Sequence, residues 1–171
     1  MTVDYTYVAS YDVRKVLWEE LQNSGLFDIN DYYADGFAEP LIPIIPTQQV
    51  PEFNNLLPGV KYITYDVLLK HHPVQWWMSE ETMTFDVVSR DSGDIQTIIN
   101  FMTDLFRRYD QTARDVNLQL VEESPYTFHF FRIESSDPIQ AFQNEGGFMN
   151  APFVIDYSYS RELNPITGRY L

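Results

Sequence analysis

The chain contains no cysteine, only three histidines, and fewer than half as many basic as acidic side chains. Without cysteine there are no disulfides and no thiolate metal sites, so nothing points to an oxidising compartment. The histidines are badly placed for a metal. His71 and His72 are adjacent and would point to opposite sides of a strand, and His129 alternates with Phe128 and Phe130 as an ordinary sheet residue would. Nucleophile motifs are missing: there is no G-x-S-x-G and no serine beside a basic partner. Gly146-Gly147 lacks the lysine and the strand-loop-helix setting of a phosphate loop. No pair of carboxylates falls at a spacing that forces a shared acid-base site. The expectation is therefore no catalytic residue, no cofactor, no metal and no enzyme activity. No apolar run reaches the roughly 18 to 20 residues of a membrane span, and MTVDYTYVAS lacks the basic and apolar regions of a signal peptide. A soluble protein made in a cytoplasm, with no membrane partner, is expected.

What is present is acidic and aromatic. Eleven Lys and Arg against 25 Asp and Glu leave a formal charge of −14. Such a surface repels phosphate, which disfavours general nucleic-acid binding and suits either solubility or a wall that DNA must pass without sticking. With 44% hydrophobic and 16% aromatic residues the chain is expected to fold as one domain over 1–171.

The clearest local signal runs from Glu81 to Arg108. Met83, Phe85 and Val87 alternate with Thr82, Thr84 and Asp86, the period of a half-buried strand. After Asp91-Ser92-Gly93 the period becomes helical, with Ile95, Ile98, Ile99, Met102, Leu105 and Phe106 on one stripe and Asp91 or Ser92 as the cap. An earlier helix, opened by Ser10 or Asp12, carries Val13, Val16, Leu17 and Leu21 and ends near Ser24-Gly25; Trp18 beside that stripe is read as core. Residues 26–39 read as strand or irregular loop. Pro40, Pro43 and Pro46 exclude a central strand and fit an edge. Further strands are expected at Val60–Leu69, Asp115–Val121, Tyr126–Glu134 and Phe153–Leu163. The sum is an α+β fold, a mostly antiparallel sheet with two helices packed on one face, plus long interaction loops.

Three of those loops carry apolar side chains where loops are usually polar. Phe53, Leu56 and Leu57 lie in the Pro/Asn-rich stretch 48–58; Trp76, Trp77 and Met78 lie at a hairpin tip in 70–80. Phe142, Phe148 and Met149 lie in the Gly-containing stretch 136–150. Any one of them can tuck onto its own domain. Three such loops together point to subunit contacts, because exposed aromatics are costly unless a partner buries them.

The order of these segments resembles tail-terminator and neck proteins of long-tailed bacteriophages. The resemblance rests on PTQQVPEFNNLLPGVKYITYDV, on WWMSEETMTFDVVSRDSGDIQTIINFMTDLFRR, and on a last strand before SRELNPITGRYL, and it covers roughly residues 10 to 165. It departs from the family's "P-Y" strand start, since here Val60-Lys61-Tyr62 follows a proline at Pro58. The family implies an α+β subunit that closes a hexameric ring on the last ring of the tail tube and offers a surface to the filled head. Its partners would be further copies of itself, the tail-tube protein, neck or connector proteins and, in contractile tails, the sheath. DNA would pass an acidic lumen without specific binding. The alternatives are another neck or head-completion ring, a monomeric peptide- or ligand-binding module using Trp76-Trp77, and a hydrolase built on scattered carboxylates with His71 or His72.

Overall fold

The computed structural model describes residues 8–70, 78–120, 124–136, 140–141 and 147–161. At its centre β3 (Met78–Ser89) turns into α3 (Ser92–Phe106) through Asp91, whose carboxylate accepts the Gly93 N–H at 2.7 Å. This cap satisfies an amide that has no partner inside the helix. The α3 stripe buries Ile95, Ile98, Ile99, Met102 and Phe106. The Phe106 ring meets Phe85, Phe131 and Phe153 of three different strands, at centroid distances of 5.8–6.4 Å.

Those strands belong to one mixed sheet ordered β1 (Ile44–Pro46), β2 (Tyr62–Lys70), β3, β6 (Met149–Arg161) and β4 (Tyr126–Ser136), with the two-residue β5 (Gln140–Ala141) also on β6. The β1–β2 pair is parallel and the other pairs are antiparallel. The expected α+β class holds. Register places Ile63, Tyr65, Met83, Phe85, Val87, Phe153, Ile155 and Tyr157 on the face that α3 covers. The opposite face carries Thr64, Asp66, Leu68, Lys70, Thr82, Thr84, Asp86, Val154 and Asp156. β1 is short and proline-bounded, as an edge strand can be.

α1 (Ala9–Asn23) buries Val13, Val16, Leu17, Trp18 and Leu21, so the Trp18 expectation holds; its ring meets Phe27 and Tyr32 edge-on. Tyr32 donates its hydroxyl to the Lys61 carbonyl at 2.8 Å and ties the acidic 26–39 segment to the start of β2. That segment contains a short 3-10 turn at Ile29–Tyr32 and no strand. The α1 start differs from expectation. Val8 precedes the first turn with no side-chain cap, while Ser10 and Asp12 are buried inside the helix.

Two further helices replace segments expected to be irregular or extended, so the described residues hold four α-helices rather than two. The stretch 48–58 contains α2 (Val50–Leu56). Pro51 is compatible with a first helical turn because its missing N–H would have no helical partner there. The described part of the strand expected at Asp115–Val121 is not extended: α4 (Asp110–Gln119) runs through 115–119 and buries Thr112, Ala113 and Val116. A strand would have put Val116, Leu118 and Leu120 on one face, yet Leu118 is 73% exposed while the other two are buried. Between α3 and α4, Tyr109 takes a φ of 50°, a conformation that costs an L-residue on the order of 1–3 kcal/mol. Its ring stacks on Phe130 at 5.0 Å and its carbonyl accepts from Phe131 and Ala113.

Candidate functional site

The residues expected at subunit contacts divide into three groups. Phe53 and Leu57 are buried in the chain's own core, and Phe53 packs on Tyr62 at 5.5 Å. Leu56, Phe148 and Met149 are half-buried against the same core, with Phe148 between Tyr62 and the Arg90 guanidinium. Intrachain packing thus takes up these five of the expected contact residues, wholly or in part. Met78, half-exposed, opens β3 opposite Ser160. Trp76, Trp77, Phe142 and the pair His71-His72 lie outside the described residues.

Apart from Leu56, the apolar groups that line the outward surfaces are others. At the β1 end of the sheet, Phe37, Leu41, Ile42, Ile45 and Leu56 line a cleft of about 240 Å³, with Arg14 and Glu52 at its polar side. Phe37 is 49% exposed there. At the opposite end, α4 lies along β4 and turns Leu118 to solvent. A third exposed set, Val67, Leu68 and Leu69, lies in the distal half of β2. Three apolar residues in succession on a strand cannot all face one core, so that run was a legible signal that at least one of them faces outward. Leu118 carried no such mark, because its placement depends on α4 being a helix.

Two carboxylates are buried on opposite faces of the sheet, one residue apart in register. Glu81 accepts the hydroxyls of Tyr157 at 2.5 Å and Tyr159 at 2.7 Å. Burial, followed by the Glu81 charge, pushes both hydroxyls above the ordinary tyrosine range, so they stay protonated donors. Asp156 accepts from Lys70 Nζ at 2.7 Å, Thr82 Oγ1 at 2.6 Å and Arg132 at 2.8 Å. Burial alone would raise this carboxyl, but those three hydrogen bonds outweigh it and hold the group well below the usual carboxylate range. Arg132 also pairs with Glu134 at 2.7 Å, and Glu80 lies within 3.9 Å of both cations.

The donors of this network come from β2, β3 and β4 and converge on β6, so it clamps four strands across one face. His129 is bonded to Ser160 at 2.9 Å, and burial lowers its pKa, as in a sheet position that keeps the ring neutral. Neither buried carboxylate lines the cleft at the β1 end. Among the described residues no group of three or more His, Asp or Glu has metal-binding geometry, and no helix is long and apolar enough to cross a membrane. Chemically, the arrangement locks strands together; its outward-facing features are apolar and lateral. No protein-family model and no curated protein matches the chain.

Proposed function

We propose that this chain is a virion structural subunit of a long-tailed phage, forming a ring, hexameric in the family it resembles, that caps the tail tube and joins tail to head. The observation that carries the reading is the pair of apolar surfaces at opposite ends of the sheet: the Phe37–Leu56 cleft beside β1, and Leu118 on α4 beside β4. A cyclic ring needs two different, complementary surfaces on each subunit, because each copy meets its neighbours head to tail. The −14 charge suits an acidic lumen through which DNA slides, and the resemblance supplies the place in the virion. Partners under this reading are further copies, the tail tube, the neck or connector and, where the tail contracts, the sheath. The role is structural, without catalysis or cofactor.

The cleft alone would also fit the alternative of a monomeric binding module. Its 240 Å³ falls below the roughly 300–1,000 Å³ of small-ligand sites, and that reading gives Leu118 on the far side no role. The test is negative-stain microscopy with light scattering, alone and with tubes of the cognate tail-tube protein. Rings with an open centre or capped tubes are expected, and Leu118→Asp abolishes them while leaving the fold intact. A monomer that neither closes at high concentration nor caps tubes would overturn the proposal.

A further inference from the structure

We propose that the outer edge of β2 over Asp66–Lys70 is a self-pairing surface, on which β2 of a second copy lies antiparallel about a two-fold axis through Leu68. The edge is open. β1 pairs with β2 only at Ile63–Tyr65, and Thr47 holds Asp66 through its side chain at 2.7 Å. Beyond that point, among the described residues, no strand lies on the outer side of β2. The Ile63 N–H donates outward to Pro43, so Val67 and Leu69, of the same parity, also turn their N–H and C=O groups outward. Their side chains and that of Leu68 are 39%, 46% and 66% exposed. An apolar edge with unpaired backbone groups is a template for another strand.

The opposite edge of the sheet is treated differently. Asn117 of α4 accepts from the Phe128 N–H and donates to its carbonyl, both at 2.8 Å, as a neighbouring strand would. The Tyr109 carbonyl takes the Phe131 N–H. Two register shifts bend the same strand. β4 is thus plugged and distorted, while among the described residues the β2 edge is neither. Lysine often guards an edge, but the Lys70 ammonium is turned onto Asp156.

The occupant follows from self-complementarity. With Leu68 opposite Leu68 of the second copy, Val67 and Leu69 form the hydrogen-bonded pairs, giving four backbone bonds in all. Asp66 falls opposite Lys70 of the second copy, so no like charges meet at either end, although each Lys70 ammonium stays on Asp156 of its own chain. For a chain of charge −14, a self-contact free of facing acids is the arrangement that repels least. Shifting the register by two towards the start of β2 would lay Asp66 against Leu68 and drive the second strand into β1. Of these two registers, the Leu68-centred one is the one the edge accepts. This closed, two-fold contact uses neither lateral surface of the proposed ring and does not depend on that reading.

The chain has no cysteine, so Leu68→Cys introduces a single thiol. It would sit in a close antiparallel pair with its symmetry mate, about 4.5 Å between Cα atoms and within disulfide reach. Oxidised glutathione is expected to cross-link Leu68→Cys at low concentration, but not the control Thr84→Cys, which lies on the same face one strand further in. Light scattering of the full chain, at concentrations below those at which a ring closes, is expected to show a dimer. Val67→Pro removes an outward N–H without touching the β2–β3 ladder and is expected to yield a folded monomer, as is Leu68→Asp, each weakening the dimer by on the order of 100-fold. Cross-linking no faster than the control, a wild-type monomer at millimolar concentration, or a dimer indifferent to Val67→Pro would each overturn the proposal. So would a tail-tube subunit occupying this edge in the absence of any self-pairing.

Discussion

Asp156→Asn isolates the polar clamp from everything else in the sheet. The substitution keeps shape and volume but removes the charge, and it turns an amide donor towards groups that are themselves donors. All three hydrogen bonds end on an ionised carboxylate and two come from charged donors; bonds to charged groups are worth about 1.5–3 kcal/mol each in proteins. The full sum overstates the cost, because Lys70 and Arg132 remain 33% and 47% exposed and can recover water. We therefore expect about 2–4 kcal/mol, less than the about 5 kcal/mol seen when a fully buried partner charge is orphaned. For a chain of this size each kcal/mol is worth about 2–4 °C, which places the melting shift near about 10 °C.

Urea unfolding followed by circular dichroism reads this directly: the midpoint falls while the slope is unchanged. The pH dependence is the sharper check. The Asp156 carboxyl titrates lower in the folded chain than in the unfolded one, where it sits near about 4. Its contribution is therefore complete above that value and is lost as the pH falls further. The wild type and Asp156→Asn should begin to converge below about pH 4 and draw closer as the pH falls further. A deficit under about 1 kcal/mol at neutral pH, or one that stays constant down to pH 2, would refute the clamp.

Asn117→Ala removes both bonds to the Phe128 backbone and should cost about 2–3 kcal/mol in urea, with light scattering showing concentration-dependent association through the unplugged β4 edge. Tyr32, Tyr157 and Tyr159 are held above the ordinary tyrosine range, first by burial and then by neighbouring carboxylates. Their stabilising contribution is present below about pH 10 and lost above it, so the part of the tyrosinate absorbance that comes from these three, read as the step removed in the Tyr→Phe variants, should appear only with loss of near-ultraviolet dichroism.

The β3–α3 unit was legible because every signal for it is local: a change of period, a capping Asp91 and a continuous stripe. Where local signals compete, the reading failed. Pro51 and the paired asparagines resemble a loop, yet Val50, Phe53 and Leu57 recur at helical spacing, and burying Phe53 on Tyr62 decides the matter. In the α4 segment, Val116, Leu118 and Leu120 satisfy a strand's alternation as well as Ala113, Val116 and Leu120 satisfy a helix; the choice rests on α4 packing along β4. The clamp was beyond reach for another reason. Lys70 and Thr82 lie 86 and 74 positions from Asp156, and register alone brings them together. Its trace in the sequence was a charge set between Ile155 and Tyr157 in an apolar strand, where burial demands a partner.

The same pairing bears on how the surface meets DNA. Lys61, Lys70, Arg107, Arg108, Arg114 and Arg132 each lie within 3.5 Å of a carboxylate of this chain. Arg14 is spent on the Ile44 carbonyl and Arg90 on the Phe148 ring. These cations are held by the chain itself, whereas phosphate binding depends on cations free to displace condensed counterions. Under the ring reading the acidic excess would be what an approaching duplex meets. This separates two requirements that net charge confounds. A lumen must carry unpaired acids to repel the genome, and it must also hold its own bases in ion pairs, so that no cation is available to grip the sliding strand.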